Sequence, residues 1–195
     1  MWISVIGPEG SAKKEIKNHI EEQGYKFRDL RDVYLYSAVG KISSLFDLFD
    51  RQLDIQDEMR TKDIVTIGTI WDAHEIYSQI SRGIGYWDAK ELEMVDDIYK
   101  KLCKRLDPPQ MFIYCKSDVV HIQSWLEMTA RPREQEDIII KVLAEYDRLI
   151  KKIRVPVIEI DVTGQIDEAY NEVNYGMSSI KATADERSMW KKKIF

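Results

Sequence analysis

The sequence predicts an α/β domain in which a parallel sheet carries helices on both faces. Short, apolar, β-rich runs recur near residues 2–6, 25–30, 63–67, 110–115 and 155–160. Longer amphipathic runs lie between them. Strands of roughly five residues that alternate with helices make βαβ units, and these close into a parallel sheet. The length of 195 residues suits one domain with one substantial core.

Each element has a local reason. Residues 2–6 (WISVI) read as a buried strand, bounded by the turn Gly7-Pro8-Glu9-Gly10. Residues 11–23 place Ala12, Ile16 and Ile20 at helical spacing, and Gly24 stops the run. Residues 42–59 form a long amphipathic helix with a broad face of Leu45, Phe46, Leu48, Phe49, Leu53 and Ile55. DIVTI at 63–67 is the next strand, and residues 71–81 follow as a helix that Gly83-Ile84-Gly85 breaks. Residues 88–106 are helical up to Pro108-Pro109, and QMFIYC at 110–115 is a strand. Residues 119–129 read as a helix, Arg131-Pro132-Arg133 interrupts, and 134–153 form a long helix. VPVIEI at 155–160 is the last strand. Residues 166–173 are a short final helix, and 174–195 read as a polar, partly ordered tail ending in a lysine run.

Composition excludes several classes of function. Hydrophobic residues at 44% and charged residues at 32% describe an ordinary globular chain. No apolar run approaches the ~20 residues of a membrane span. The N-terminus has no basic region followed by an apolar stretch, so it does not read as a secretory signal. A net charge of −5 disfavours a dedicated nucleic-acid binder. Cys103 and Cys115 make no ligand spacing or disulfide framework, and His19, His74 and His121 are scattered. The expectation is a reduced, cytoplasmic protein.

The strongest local signal is Gly7-Pro8-Glu9-Gly10-Ser11-Ala12-Lys13-Lys14. It follows a strand and opens a helix, as the phosphate-binding G-x-x-x-x-G-K-[ST] loop does. Such a loop turns backbone N–H groups toward phosphate and adds the positive end of a helix. Lys13 supplies a mobile charge. Two positions depart from the pattern. Ala12 stands where the second glycine belongs, and its methyl group opposes a positive φ. Lys14 stands where a hydroxyl would ligate Mg²⁺, and an ammonium replaces charge without ligating metal. A plain Gly-rich turn is the competing reading. Arg131 and Arg133 form a second constellation, able to fork onto phosphate oxygens or to serve as a solvated cluster at a helix start.

With these motifs in order, the chain resembles the P-loop deoxynucleoside kinase and thymidylate kinase group up to about Val162. Arg131 to Glu136, Tyr146, and Val155 to Asp161 look like the R-G-R-x-x-E lid, long helix and closing strand of deoxynucleoside kinases, with Pro132 in place of the lid glycine. Leu48-Phe49-Asp50-Arg51-Gln52 looks like the F-x-x-D-R stretch of thymidylate kinases. The resemblance implies a three-layer P-loop kinase fold with a five-stranded parallel sheet. The kinase-like domain would span residues 1–173, with a lid near 129–136 and a tail over 174–195. It implies ATP as donor, with Mg²⁺ lacking its hydroxyl ligand, and a deoxynucleoside or its monophosphate as acceptor.

On this resemblance Gly7, Gly10, Ser11, Ala12, Lys13 and Lys14 hold donor phosphates, and Arg131 and Arg133 close over them. Asp50, Arg51 and Trp71 face the acceptor, and Trp71, Tyr77, Tyr86 and Trp87 are candidates to stack on a base. One motif is missing. After the central strand the family carries Glu-Arg-Ser or Asp-Arg-Tyr, where this chain has Ile67-Gly68-Thr69-Ile70. Asp72, His74 and Glu75 are the candidate substitutes, with Asp72 nearest the strand end, where parallel-sheet sites lie. Asp72 also reads as a helix cap and His74 as a packing residue. Two functions stand: phosphoryl transfer from ATP, or a kinase fold without turnover that acts as a nucleotide sensor, an oligomer subunit or an inhibitor that binds another protein. The broad apolar face of residues 42–59 predicts a homodimer.

Overall fold

The computed structural model describes residues 1–30, 38–76, 78–80, 87–130 and 134–192. The Arg131-Pro132-Arg133 segment, Tyr77, Tyr86, the Gly83-Ile84-Gly85 break and the last three residues lie outside them. Five parallel strands form one sheet in the order β2-β3-β1-β4-β5: β1 Trp2–Ile6, β2 Lys26–Asp29, β3 Ile64–Ile67, β4 Met111–Lys116 and β5 Val157–Asp161. This is the expected α/β P-loop kinase architecture. The helices are α1 Lys13–Glu21, α2 Ala38–Glu58, α3 Ile70–Glu75, α4 Ala89–Cys103, α5 Val119–Met128, α6 Glu136–Ile150 and α7 Ile166–Lys192.

Alternation along β1 divides the core between the two faces. Trp2 joins a cluster with Leu45, Leu48 and Ile55 of α2 and Leu92, Val95 and Tyr99 of α4. Ile3 and Val5 point the other way, into a cluster with Ile16 and Ile20 of α1 and Ala169, Val173 and Met177 of α7. A central strand covered on both faces must be apolar on both, and all five residues of β1 are buried.

The C-terminal end departs from the sequence reading. The helix does not stop near 173 but continues to Lys192. Val173 and Met177 are buried, so the helical period continues past the polar Asn174. Gly176 is the reason the chain can pass there. A Cβ on it would lie 2.6 Å from the Ile158 side chain, so glycine lets α7 lie close against β5.

The register fixes where chemistry can occur. Val5 pairs with Ile67 and Ile6 with Tyr114, so the turns leaving β1, β3 and β4 emerge at one edge. The chain passes from β3 on one side of β1 to β4 on the other, which opens a crevice at the carboxyl ends of these strands.

Candidate active site

The loop after β1 is shaped for close backbone approach. Gly7 has φ 150°, and a Cβ there would lie 2.6 Å from both the Cys115 carbonyl and the Ser11 hydroxyl. Only glycine fits so close to β4. Ser11 donates its hydroxyl to the Pro8 carbonyl at 2.7 Å. Ala12 adopts φ 52° and ψ 22°, the left-handed conformation, directly before α1. The alanine takes the backbone shape its position demands and bears the strain, roughly 1–2 kcal/mol for an L-residue. Lys13 folds over the loop, donating to the Gly7 carbonyl at 2.7 Å and to the Pro8 carbonyl. Lys14 is exposed. Trp125 of α5 covers Gly10, with ring atoms 3.1 Å from where a Cβ would stand. Beneath the loop, burial pushes the Cys115 thiol up to about 12, which keeps it protonated and unreactive.

Next to this loop, Gly68 (φ 78°) turns the chain from β3 into α3. Ser4 and Thr66 hydroxyls both donate to its carbonyl, at 3.1 and 3.2 Å. Thr69 and Asp72 then form a capping box. Asp72 N–H donates to Thr69 Oγ1 at 3.3 Å, while Asp72 Oδ1 accepts from the Thr69 N–H and, at 2.6 Å, from its hydroxyl. The N-cap is therefore Thr69, and Asp72, read from the sequence as the cap, is the third residue of the helix and closes the box from inside it. Yet Asp72 is also 7% exposed, and burial raises its carboxyl from 3.8 to about 6. The Thr69 hydrogen bonds and the Lys13 charge pull the other way. Its Oδ2 makes no hydrogen bond among the described residues. A carboxyl near 6 is close to the working range of a general base.

A buried polar chain braces α3 from behind, and the sequence pattern gave no sign of most of it. Gln52 of α2 is fully buried and accepts from the Ile70 N–H at 3.4 Å, satisfying an orphan donor of the α3 first turn. Lys41 of α2, 2% exposed, donates to the Ala73 carbonyl at 2.9 Å. His74 bridges to Asp96 through Nε2 at 2.8 Å and to Ser78 through Nδ1 at 3.0 Å, and it stacks on Tyr99 at 3.8 Å. Because a carboxylate only accepts, Nε2–H donates to Asp96 and Nδ1 accepts the Ser78 hydroxyl. That assignment keeps the ring neutral. Burial drives His74 down to about 4; the Lys41 charge adds to this, and Asp96 opposes it. Spacing alone shows a lysine, a glutamine and an aspartate on helix surfaces. Lys41 and Gln52 are buried, and Asp96 half-buried, because α2 and α4 both pack against α3.

The other sequence-derived residues are dispersed. Arg51 donates to the Asp29 carbonyl at 2.9 Å and to Asp47, so it sits at the end of edge strand β2 with β3 between it and the loop. There it lines a groove of about 380 Å³ with Arg28, Asp54 and Glu58. Asp50 is exposed on α2. Trp71 is half-buried and Trp87 buried in the cluster between α2 and α4, which is packing by contact. Arg131 and Arg133 are outside the described residues.

This fold has close counterparts among solved structures. The chain superposes on deoxyadenosine kinase from M. mycoides with bound dATP at TM-score 0.74 and 14% identity, over 91% of this chain and all of that one. The same kinase with the products dCMP and a flexible dCDP gives 0.74 and 13%, and with bound dCTP 0.67 and 15%, each over 92% of this chain and all of the other. The chain thus has the deoxynucleoside kinase fold. No family model and no curated protein matches its sequence. Among the described residues no helix is long and apolar enough to cross a membrane.

Kinases of this kind imply Mg²⁺, and the residues here do not fit it. The metal-ligating hydroxyl is replaced by Lys14. The Ser11 hydroxyl is buried and donates to Pro8, and Oδ1 of Asp72 is held by Thr69, which leaves one carboxylate oxygen at this edge. No group of three or more His, Cys, Asp or Glu is placed to hold a metal among the described residues.

Proposed function

We propose that the protein binds a nucleoside triphosphate in the Gly7–Lys14 loop and transfers its terminal phosphoryl group to a deoxynucleoside or deoxynucleoside monophosphate. The observation that carries this reading is Ala12. An alanine held at φ 52° keeps the left-handed turn that the second glycine of a phosphate loop supplies, at the position where strand β1 passes into α1. The nucleotides bound by the M. mycoides kinase of the same fold support the ligand class.

In this reading the loop N–H groups and the α1 terminus hold the donor phosphates. Lys13 leaves the Gly7 and Pro8 carbonyls and swings onto them. Arg131 and Arg133 close from the lid side and neutralise charge on the leaving diphosphate. Asp72, ionised above about 6, accepts the proton of the acceptor hydroxyl. The hydroxyl oxygen bonds to the terminal phosphorus as the bond to the bridging oxygen breaks, and the electron pair departs with the nucleoside diphosphate. The main contributions are positioning and charge stabilisation.

A second reading, nucleotide held without turnover, is favoured by Ala12, by Lys14 and by Gly68-Thr69 in place of the acid and Arg. A transfer assay with ATP and a panel of deoxynucleosides and their monophosphates separates the two. Transfer to one acceptor, reduced at least ~100-fold in Asp72→Asn, fits the first reading. ATP binding with no transfer to any acceptor fits the second and removes the first.

A further inference from the structure

Lys14 changes which form of the nucleotide the loop is built to take. It occupies the second position of α1, is exposed, and makes no hydrogen bond or ion pair among the described residues. Its ammonium is therefore free to turn toward a ligand lying on the helix N-terminus. Lys13 precedes it in the first turn, its ammonium lying on the Gly7 and Pro8 carbonyls, so two lysines stand at the positive end of α1. Mg²⁺ asks for an octahedron of oxygens and is bound through one or two carboxylates with phosphates and water. Ser11 donates its hydroxyl to Pro8 and Thr69 to Asp72, so the hydroxyls of the loop and of the α3 cap both hold partners. The Asp72 carboxyl is turned to the α3 cap. A cation brought here meets the charge of two lysines, whereas a metal-free phosphate chain, with its greater negative charge, is drawn to them, against the smaller opposition of Glu9 in the loop and Glu15 in the first turn of α1.

We infer that the loop selects the metal-free form of a nucleoside triphosphate, with the Lys14 ammonium standing in for the divalent ion. This rests on the reading of the Gly7–Lys14 loop as a nucleotide site. Most nucleotide in a Mg²⁺-containing solution is metal-bound, so such a site fills when free Mg²⁺ falls. It reports the metal-free fraction of nucleotide rather than the total.

The test is calorimetric titration of the full chain with ATP, once in excess EDTA and once in excess Mg²⁺. The expected result is binding at least ten-fold tighter in EDTA. Lys14→Thr, which installs the missing hydroxyl and removes the charge, should reverse that order. Lys14→Gln removes the charge without adding the hydroxyl, and should cut EDTA binding at least ten-fold with no gain in Mg²⁺. Both changes fall on an exposed helical position, and far-UV circular dichroism checks that each variant folds. Equal or tighter binding in Mg²⁺ by the unaltered chain overturns the inference and leaves the nucleotide site standing. An unchanged metal preference in both variants overturns the role of Lys14. Absence of ATP binding in both solutions overturns the inference together with the reading on which it rests.

Discussion

Replacing Asp72 by Asn should reveal a pH dependence that the native protein conceals. Folded Asp72 keeps its proton up to about 6, and the unfolded carboxyl only up to 3.8. Between those values the folded state binds more protons, so stability falls as pH rises. The shift corresponds to about 3 kcal/mol across the window. His74 works in the opposite sense. Its folded value is near 4 and its unfolded value 6.5, so the unfolded chain binds more protons and stability rises with pH, again by about 3 kcal/mol. Burial is the leading cause for both groups. Lys13 and Thr69 act on Asp72, while Lys41, Asp96 and Glu75 act on His74. In the native chain the two slopes nearly cancel between pH 4 and 6.5. In Asp72→Asn the histidine slope stands alone, so the variant gains about 3 kcal/mol relative to the native protein on going from pH 4 to 6.5. His74→Gln should show the mirror image. Urea unfolding at half-unit pH steps measures this, and referring each variant to the native chain removes the contribution of every other carboxylate. A difference curve for Asp72→Asn that is flat with pH would refute the burial argument for Asp72.

Other outcomes follow from single contacts. Gly7→Ala puts a Cβ 2.6 Å from the Cys115 carbonyl, and a backbone atom cannot yield easily; a loss of about 1–3 kcal/mol in urea unfolding is expected, with ATP binding abolished. Ala12→Gly relieves roughly 1–2 kcal/mol of left-handed strain but adds about 0.4–1 kcal/mol of unfolded-state freedom, so stability should rise by less than about 1 kcal/mol while ATP binds more tightly. Lys41→Met takes a buried donor from the Ala73 carbonyl and should cost about 1–3 kcal/mol; loss of the positive charge should also raise the His74 titration seen by NMR. Phe46 and Leu53 lie seven residues apart on α2 and stay 47% and 37% exposed, so light scattering at micromolar concentration should give a dimer that Phe46→Glu dissociates.

The sheet was legible because its strands are short and punctuated by Gly and Pro, and the three central ones are buried on both faces. Five such runs predicted the five strands, and the Gly7–Lys14 spacing marked the turn at the switch point. The long helix over 42–59 was found, though it begins earlier, at Ala38. Elements held by distant contacts were less visible. The extent of α7 depends on Gly176 meeting Ile158, two positions far apart in sequence. The brace behind α3 depends on Lys41, Gln52 and Asp96, polar residues that a periodic pattern assigns to a solvated face. Asp72 was legible as part of a helix start, though the cap itself is Thr69, and its raised carboxyl comes from burial of α3.

The central claim is that the Gly7–Lys14 loop holds the phosphates of a nucleotide with Lys13 as its principal charge. Equilibrium binding of radiolabelled ATP to the full chain and to Lys13→Ala, each in EDTA and in Mg²⁺, tests it most directly. The account predicts one site per chain in the native protein and a loss of at least ~100-fold in affinity for the variant, on the scale of about 3 kcal/mol for a charge-assisted phosphate contact. Native affinity in Lys13→Ala, or no binding by the native chain in either solution, would contradict it.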